Sequence, residues 1–288
     1  MSTFADLAEL VRAPAALSVP GDVVAGAAAA GALGPRTAGL AGASVLLYWA
    51  GMAANDWADR RLDAVERPER PIPSGRVSPA TALGLAAGLT AAGLGLAAVT
   101  GGRRAAAVAI PLAATIWGYD LAAKNTAAGP AVMAACRGLD VLLGATGGRP
   151  VRALPAALTV AAHTVTVTAL SRREVAGADT ALPLRTLAGT ALVALAAARR
   201  STAPAARPEA ALPVALAGWY AARYGGAQAR VAADPSAGRV RAAVGAGITG
   251  LPALQGALTA RAGAGLLGLA VAAAAPLGRR LARRVSPT

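Results

Sequence analysis

The most informative part of this sequence is one acidic stretch, Asn55-Asp56-Trp57-Ala58-Asp59-Arg60-Arg61-Leu62-Asp63. Its aspartates are three and four residues apart, so in a helix their carboxylates share one face. The stretch lies at the end of an apolar segment, residues 38–57, where ionisable groups are costly and usually functional. Three carboxylates on one face repel each other unless a cation lies between them, and Mg²⁺ prefers oxygen ligands. The pattern predicts a membrane helix that ends in a Mg²⁺ site. The alternative is an ordinary solvated helix end whose acids pair with nearby arginines.

The composition excludes an ordinary soluble domain. Of 288 residues, 56% are hydrophobic, 15% are charged and 3% are aromatic, whereas soluble domains carry about 25% charged residues. Small residues such as Ala and Gly suit close helix packing in lipid. The formal charge of +14 would also suit nucleic acid, but the arginines lie in short clusters between apolar segments. That distribution is typical of membrane loops, so we expect a lipid bilayer as the partner and no nucleic acid.

We predict nine or ten membrane spans in a single domain that covers residues 1–288. The candidate spans are 15–33, 38–57, 79–100, 104–122, 127–147, 153–170, 181–198, 210–222, 242–260 and 263–278. One set of loops carries about twice as many basic residues as the other, and the Asp-rich loop belongs to that set. The positive-inside rule then predicts a multi-pass protein of the inner (cytoplasmic) membrane with its Asp-rich loops in the cytoplasm.

The pattern Asn-Asp-x-x-Asp-x-x-x-Asp is followed by Arg67-Pro68-Glu69-Arg70-Pro71-Ile72-Pro73-Ser74-Gly75. Together they resemble the first Asp-rich motif of the UbiA prenyltransferase superfamily. The resemblance implies an all-α bundle of about nine transmembrane helices around a central cavity. It also implies Mg²⁺-dependent transfer of an isoprenyl group from a prenyl diphosphate to a lipophilic or aromatic acceptor. The catalytic metal ligands would be Asp56, Asp59 and Asp63, with Asn55 supporting them and Arg70 contacting phosphate.

A second block, Trp117-Gly118-Tyr119-Asp120-Leu121-Ala122-Ala123-Lys124, resembles the tyrosine and basic residue that follow the fourth span of that family. The resemblance implies that Tyr119 and Lys124 bind substrate. Lys124 is the only lysine in the chain, and its ammonium would neutralise diphosphate oxygens as a point charge. Arg137 lies within an apolar span and needs a partner. Its spacing offers Asp140 one turn on, and the alternative partner is the substrate's phosphates.

The second Asp-rich motif of the family is degenerate here. The corresponding segment reads Ser171-Arg172-Arg173-Glu174-Val175-Ala176-Gly177-Ala178-Asp179. Ser171 replaces the first acid, Glu174 the second, and Asp179 is displaced by one residue. Fewer carboxylates beside two cations should weaken Mg²⁺ binding, and arginine would neutralise phosphate instead. Arg172, Glu174 and Asp179 are therefore expected substrate-binding residues. This segment resembles the EboC-like branch of the superfamily.

Two rival functions remain open at this point. A terpene cyclase-like member would close the prenyl chain on itself, and a non-catalytic member would bind a polyisoprenoid without reaction. The intact first motif favours an enzyme, whereas the degenerate second motif favours a binding protein. The single histidine, His163, lies within a span and is expected to be a packing residue.

Overall fold

The computed structural model describes residues 3–12, 18–199 and 211–274. These residues form helices and no strands, which confirms the predicted all-α class. The helices in chain order are α1 (Phe4–Leu10), α2 (Pro20–Ala30), α3 (Pro35–Glu66), α4 (Pro79–Gly118), α5 (Gly129–Gly144), α6 (Leu154–Ser171), α7 (Ala181–Ala197), α8 (Leu212–Tyr220), α9 (Gly226–Ala233), α10 (Ala237–Arg261) and α11 (Gly265–Ala274).

Three helical segments are long and apolar enough to cross a membrane, judged by length and composition. They are Pro35–Glu66, Pro79–Ala123 and Pro150–Ser171. Ala181–Ala197 and Gly265–Ala274 are apolar but shorter. The bundle is thus built as a polytopic membrane protein, and the count of nine or ten spans stays a prediction.

Helix α4 is a helical hairpin rather than one rod. Its backbone breaks at Gly102, whose φ of 66° and ψ of −158° belong to a region that only glycine adopts readily. The indole Nε1 of Trp117 donates to Thr90 Oγ1 at 3.1 Å, so the arm 79–101 runs antiparallel to the arm 103–118. The two separate spans predicted at 79–100 and 104–122 correspond to these arms.

Helix α3 packs closely against both arms of this hairpin. A Cβ atom on Gly93 would lie 2.9 Å from the Leu47 side chain, and one on Gly51 would lie 2.6 Å from Ile116. Its N-terminus is set by Pro35, which fits the first turn of a helix. The helix runs beyond the predicted end at residue 57 to Glu66, since residues 58–66 contain several strong helix formers. All three aspartates of the first motif therefore lie on one continuous helix.

Helices α2 and α5 make the closest backbone approach in the core. A Cβ atom on Gly26 would lie 1.8 Å from the Val141 carbonyl oxygen, and one on Gly144 would lie 2.0 Å from that of Val23. Only glycine permits such contact, because any larger residue would force the helices apart. This packing places the buried face of α5 beside α2, and at the same level Asp140 of α5 accepts a hydrogen bond from Ser44 of α3.

Two elements differ from the predicted spans. The weak span at 210–222 begins at Leu212 and continues through a π-helical turn, Ala221–Gly225, into α9. Arg223 interrupts the apolar run and so suggested an end, but Tyr220 and Tyr224 continue the buried face. Helix α1 was not predicted, because its seven residues are too short and too polar for a span.

Candidate active site

The acidic face of α3 is largely buried. Asp56 and Asp63 are 4% and 2% exposed, and the side chain of Asp59 is 24% exposed. Buried carboxylates require cationic or hydrogen-bonding partners. Each of the three has such a partner, and the strongest ones come from other segments of the chain.

Arg70 joins the two ends of the acidic face. Its Nη1 atom lies 2.7 Å from Asp63 Oδ2 and 3.3 Å from Asp56 Oδ1, and the arginine side chain is 19% exposed. The two carboxylate oxygens are therefore within about 6 Å of each other although their residues are two helical turns apart. Arg67, one turn after Asp63, reaches that carboxylate only at 4.0 Å. Arg70 therefore lies at the acidic face, and its contact with phosphate stays a prediction.

Arg12 is a site residue that sequence analysis did not identify. Its Nη2 atom donates to Asp56 Oδ1 at 2.8 Å, and its φ of 46° is the one positive φ outside glycine among the described residues. Positive φ at a non-glycine residue is uncommon and concentrates at functional sites. No pattern in the sequence marks Arg12, because the contact joins residues 44 positions apart.

Helix α1 holds Arg12 in place. Arg76 Nη1 lies 2.8 Å from Asp6 Oδ1 and 2.7 Å from Glu9 Oε2, and Leu10 is fully buried. Hydrogen bonds from Thr3, and then from Arg76, lower the pKa of Asp6 to about 2. This pairing is lost only as the pH falls through that value, so the α1 contact persists at neutral pH.

A π-helical turn, Tyr119–Ala123, brings the second block to α3. Lys124 Nζ lies 2.6 Å from Asp59 Oδ1. Asn55 Nδ2 donates to Asp120 Oδ1 at 3.0 Å, so Asn55 is engaged by a residue outside the first motif. Asp120 belongs to the quoted block and is buried. Its position as an acid within the predicted span 104–122 was the sequence signal that could have identified it. Single π-helical turns within α-helices frequently occur at functional sites.

The ligand atoms of this site are of the type that Mg²⁺ prefers, but the side chains are not grouped around a common point. Asp56, Asp59, Asp63 and Asn55 all offer oxygen atoms, the ligands that Mg²⁺ prefers. In the part of the chain that is described, no three acidic, histidine or cysteine side chains are grouped closely enough to hold a metal ion. Guanidinium and ammonium groups occupy the carboxylates instead. A metal ion at this face would have to displace part of these contacts.

Two adjoining cavities open beside the acidic face. The small cavity has a volume of about 260 Å³ and is lined in part by Asn55, Asp120 and Cys136. The large cavity has a volume of about 490 Å³ and is mainly apolar. Arg12 and Tyr119 line both. Arg12, which contacts Asp56, therefore connects the acidic face with both cavities.

Arg137 lies in the wall of the large cavity and is 6% exposed. The pairing with Asp140 that the spacing suggested is not formed. The Nε atom instead lies 2.8 Å from Asp22 Oδ2, and Asp140 accepts from Ser44 Oγ at 2.5 Å. Helix α5 turns Arg137 towards α2, because Gly26 and Gly144 let those helices touch. Asp22 is the only acid in the first apolar span, which was the overlooked signal that it needs a partner.

The degenerate second motif is mostly solvent-exposed. Arg172 is exposed and donates from Nη1 to the Thr126 carbonyl at 2.6 Å. Asp179 is exposed and accepts from the Leu182 amide at 2.8 Å, as a residue that caps α7 does. Partial burial raises the pKa of Glu174, although Arg241 and Arg67 oppose the shift. Ser171 alone of the motif lines the large cavity.

The contacts of His163 are those of a buried packing residue. Its Nδ1 atom is 2.8 Å from the Tyr220 hydroxyl, and its ring makes edge contacts with Tyr220 and Tyr224. The side chain is 2% exposed. The expectation of a structural role agrees with this environment.

Several curated proteins are similar to this chain in sequence. Digeranylgeranylglyceryl phosphate synthase of Halobacterium salinarum is 33% identical over 195 residues, which are 65% of this chain and 69% of the relative. The enzyme of the same name from Methanopyrus kandleri is 45% identical over 76 residues, 26% of this chain and 28% of the relative. The chain spans less than a third of the length of this and several other such relatives.

Two solved structures share the fold. One comes from a study titled "Structural and mechanistic insights into the biosynthesis of Digeranylgeranylglyceryl phosphate synthase in membranes", with a TM-score of 0.65, 15% identity and coverage of 90% of this chain and 98% of that chain. The other is the apo structure of a UbiA homolog from Aeropyrum pernix K1, with a TM-score of 0.64, 20% identity and coverage of 88% and 96%. Residues 18–227 also match the model of the UbiA prenyltransferase family. The chain therefore belongs to the UbiA prenyltransferase family.

Proposed function

We propose that this protein is a Mg²⁺-dependent membrane prenyltransferase that transfers an isoprenyl group from a prenyl diphosphate to an acceptor. One observation carries the proposal. The buried carboxylate face of α3 meets Arg12, Arg70 and Lys124, and Arg12 also lines an apolar cavity of about 490 Å³. A diphosphate needs cations and an isoprenyl chain needs an apolar chamber, and the two lie side by side here.

The chain's own residues suggest how the reaction proceeds. Asp56, Asp59 and Asp63 would hold Mg²⁺, which when bound supplies Lewis-acid stabilisation of the leaving diphosphate. Arg12, which reaches Asp56, and Lys124, which reaches Asp59, can turn to the phosphate oxygens once those carboxylates bind metal. Their positive charges would stabilise the negative charge that builds on the diphosphate as its bond to carbon breaks. The apolar wall would keep water from the cationic prenyl group.

The degenerate motif supports a single strong metal site. Arg172 lies beside the turn that carries Lys124, through its bond to the Thr126 carbonyl. We propose that Arg172 neutralises phosphate there in place of a second acid cluster. Glu174, Asp179 and Arg137 have less direct access to the acidic face, because their contacts are with other segments.

The names of the relatives suggest one class of acceptor. Digeranylgeranylglyceryl phosphate synthases are named for a product that carries two prenyl groups on glyceryl phosphate. We include a prenylated glycerol among the acceptors to be tested, beside aromatic ones. We also propose that the Asp-rich end lies in the cytoplasm, as the arginine distribution predicts.

A non-catalytic polyisoprenoid-binding protein is the second candidate. The observation in its favour is that protein cations occupy all three carboxylates of the first motif while no acid cluster faces them from the second. The absence of a facing acid cluster refers to residues 3–12, 18–199 and 211–274. A cyclase would share the site and differ only in needing no acceptor.

Two measurements test the proposal. Asp59→Asn should abolish Mg²⁺-dependent binding of geranylgeranyl diphosphate to protein in detergent. Glu66→Gln, on the exposed side of the same helix, should leave it unchanged. Equal binding by both variants would rule out the metal site. Diphosphate release should then require an acceptor. Release without acceptor would indicate a cyclase, and no release with any donor or acceptor would indicate a binding protein.

A further inference from the structure

The end of the bundle opposite the acidic face carries exposed arginines. Helix α3 begins at Pro35, and at 1.5 Å per residue Arg36 lies about 30 Å from Asp56 along the helix. The hydrocarbon core of a bilayer has the same thickness, so the two ends of α3 lie at opposite membrane surfaces. Three segments at the Arg36 end supply what we call the arginine patch, the exposed residues Arg36, Arg103, Arg104, Arg149 and Arg152.

Backbone contacts bring these three segments to one surface. The amide of Arg149 donates to the Ala30 carbonyl at 3.1 Å, which joins the segment after α5 to the end of α2. A Cβ atom on Gly101 would lie 3.7 Å from Thr146 Oγ1, which joins the reversal of α4 to the same segment. The segment that carries Arg149 therefore lies between the α2–α3 loop and the reversal of α4.

No acid accompanies the arginine patch. Residues 30–39, 98–106 and 144–156 contain neither Asp nor Glu. Among the residues that the structure describes, none forms an ion pair or a side-chain hydrogen bond with any of the five guanidinium groups. The positive-inside rule does not account for these charges, because the orientation proposed above puts this end outside the cytoplasm.

Three of the five charges lie where a helix disfavours a cation. Arg36 is in the first turn of α3, and Arg103 and Arg104 begin the arm 103–118 of α4. The N-terminal end of a helix carries a partial positive charge, which repels a cation and attracts an anion. The helix ends and the guanidinium groups would therefore attract an anionic partner together.

Exposed apolar side chains show which kind of anion fits this surface. Val99 is 88% exposed, Val151 is 76% exposed and Leu33 is 40% exposed. Val151 lies between Arg149 and Arg152 in the chain, so charged and apolar groups alternate. A soluble anion would leave the apolar groups uncovered. A phospholipid offers a phosphate to the arginines and acyl chains to the apolar side chains.

We propose that the arginine patch binds the phosphate head group of an anionic phospholipid at the membrane surface opposite the acidic face. The guanidinium group is a planar fork of donors that matches two phosphate oxygens. Lipid phosphates lie at the level where the spanning helices end, so they reach the patch without leaving the bilayer. The patch is far from the carboxylates of α3, and the inference does not depend on the proposed prenyl transfer.

Native mass spectrometry of the full-length protein in a neutral detergent measures the binding of single lipids. Dioleoylphosphatidylglycerol should bind at least about tenfold more tightly than dioleoylphosphatidylcholine, which has the same acyl chains and no net charge. Equal affinities of the two lipids would overturn the proposal.

Two double variants assign this binding to the arginine patch. Arg104→Gln with Arg149→Gln should weaken the tightest phosphatidylglycerol site by at least about tenfold, because each contact joins a cation to a phosphate. Arg185→Gln with Arg230→Gln is the matched control. It also removes two exposed arginines that form no ion pair with any described residue, but these lie on α7 and α9. The control should leave that affinity unchanged, and equal losses in the two double variants would overturn the assignment.

A second measurement uses the unaltered protein and so does not depend on the folding of a variant. Phenylglyoxal modifies exposed arginine side chains, and peptide mapping reports the extent of modification at each position. Phosphatidylglycerol, compared with phosphatidylcholine, should reduce the modification of Arg104 and Arg149 and leave that of Arg230 unchanged. Inorganic phosphate at the same concentration should protect neither. Equal protection by inorganic phosphate would indicate a soluble-anion site, and that result, like a lack of protection by the lipid, would overturn the proposal.

Discussion

Replacement of Arg70 by glutamine should destabilise the protein, because it leaves buried carboxylates of the acidic face without a cation. Arg70 Nη1 contacts both Asp63 and Asp56, whose side chains are 3% and 5% exposed. Removing one partner of a buried ion pair costs about 3–5 kcal/mol. Asp56 keeps Arg12 at 2.8 Å, and Asp63 keeps only Arg67 at 4.0 Å. We therefore expect a loss of about 2–3 kcal/mol in the free energy of unfolding.

A thermal unfolding scan in detergent measures this loss. At about 2–4 °C per kcal/mol for a chain of this size, Tm should fall by roughly 5–10 °C. Mg²⁺ should restore more of the stability of Arg70→Gln than it adds to the unaltered protein, because the variant frees two carboxylates that a cation can bridge.

Arg67→Gln is the matched control. Arg67 is 53% exposed and meets the same Asp63 at 4.0 Å, so its loss should cost at most about 1 kcal/mol. Equal destabilisation by the two variants would refute the role of Arg70 as the cation of this face. If Mg²⁺ does not reduce the difference in Tm between Arg70→Gln and the unaltered protein, these carboxylates do not bind the metal.

Two further predictions concern the second motif and the core. Burial raises the pKa of Glu174, so its charged form weakens the fold as the pH rises through that pKa. Glu174→Gln should therefore be at least as stable as the unaltered protein at pH 7, and in a Mg²⁺ titration of prenyl diphosphate binding it should be far milder than Asp59→Asn. A loss of binding as large as that of Asp59→Asn would indicate that the second motif also holds a metal ion. Gly144→Ala should lower Tm by several degrees or prevent folding, because its Cβ atom would lie 2.0 Å from the Val23 carbonyl oxygen. Gly84→Ala, where a Cβ atom meets nothing within 4 Å, is its control, and equal Tm values would contradict the tight α2–α5 contact.

Features that depend on local periodicity could be predicted from the sequence. The spacing of Asp56, Asp59 and Asp63 placed their carboxylates on one helical face, and the apolar content predicted a helical membrane bundle. The separate spans at 79–100 and 104–122 anticipated the reversal at Gly102, where the positive φ favours a residue without a Cβ atom. The motif identified the family that residues 18–227 match. These features require knowledge of only one helix or one turn at a time.

Which partner each of these groups meets depends on the packing of helices that are distant in sequence. Arg137 pairs with Asp22 rather than with Asp140, because glycines at the α2–α5 contact bring α2 within reach. Arg12 reaches Asp56 across 44 positions of sequence. Helical spacing limits which residues share a face, but it does not say what lies opposite that face. The choice of ion-pair partners follows from how closely the helices pack.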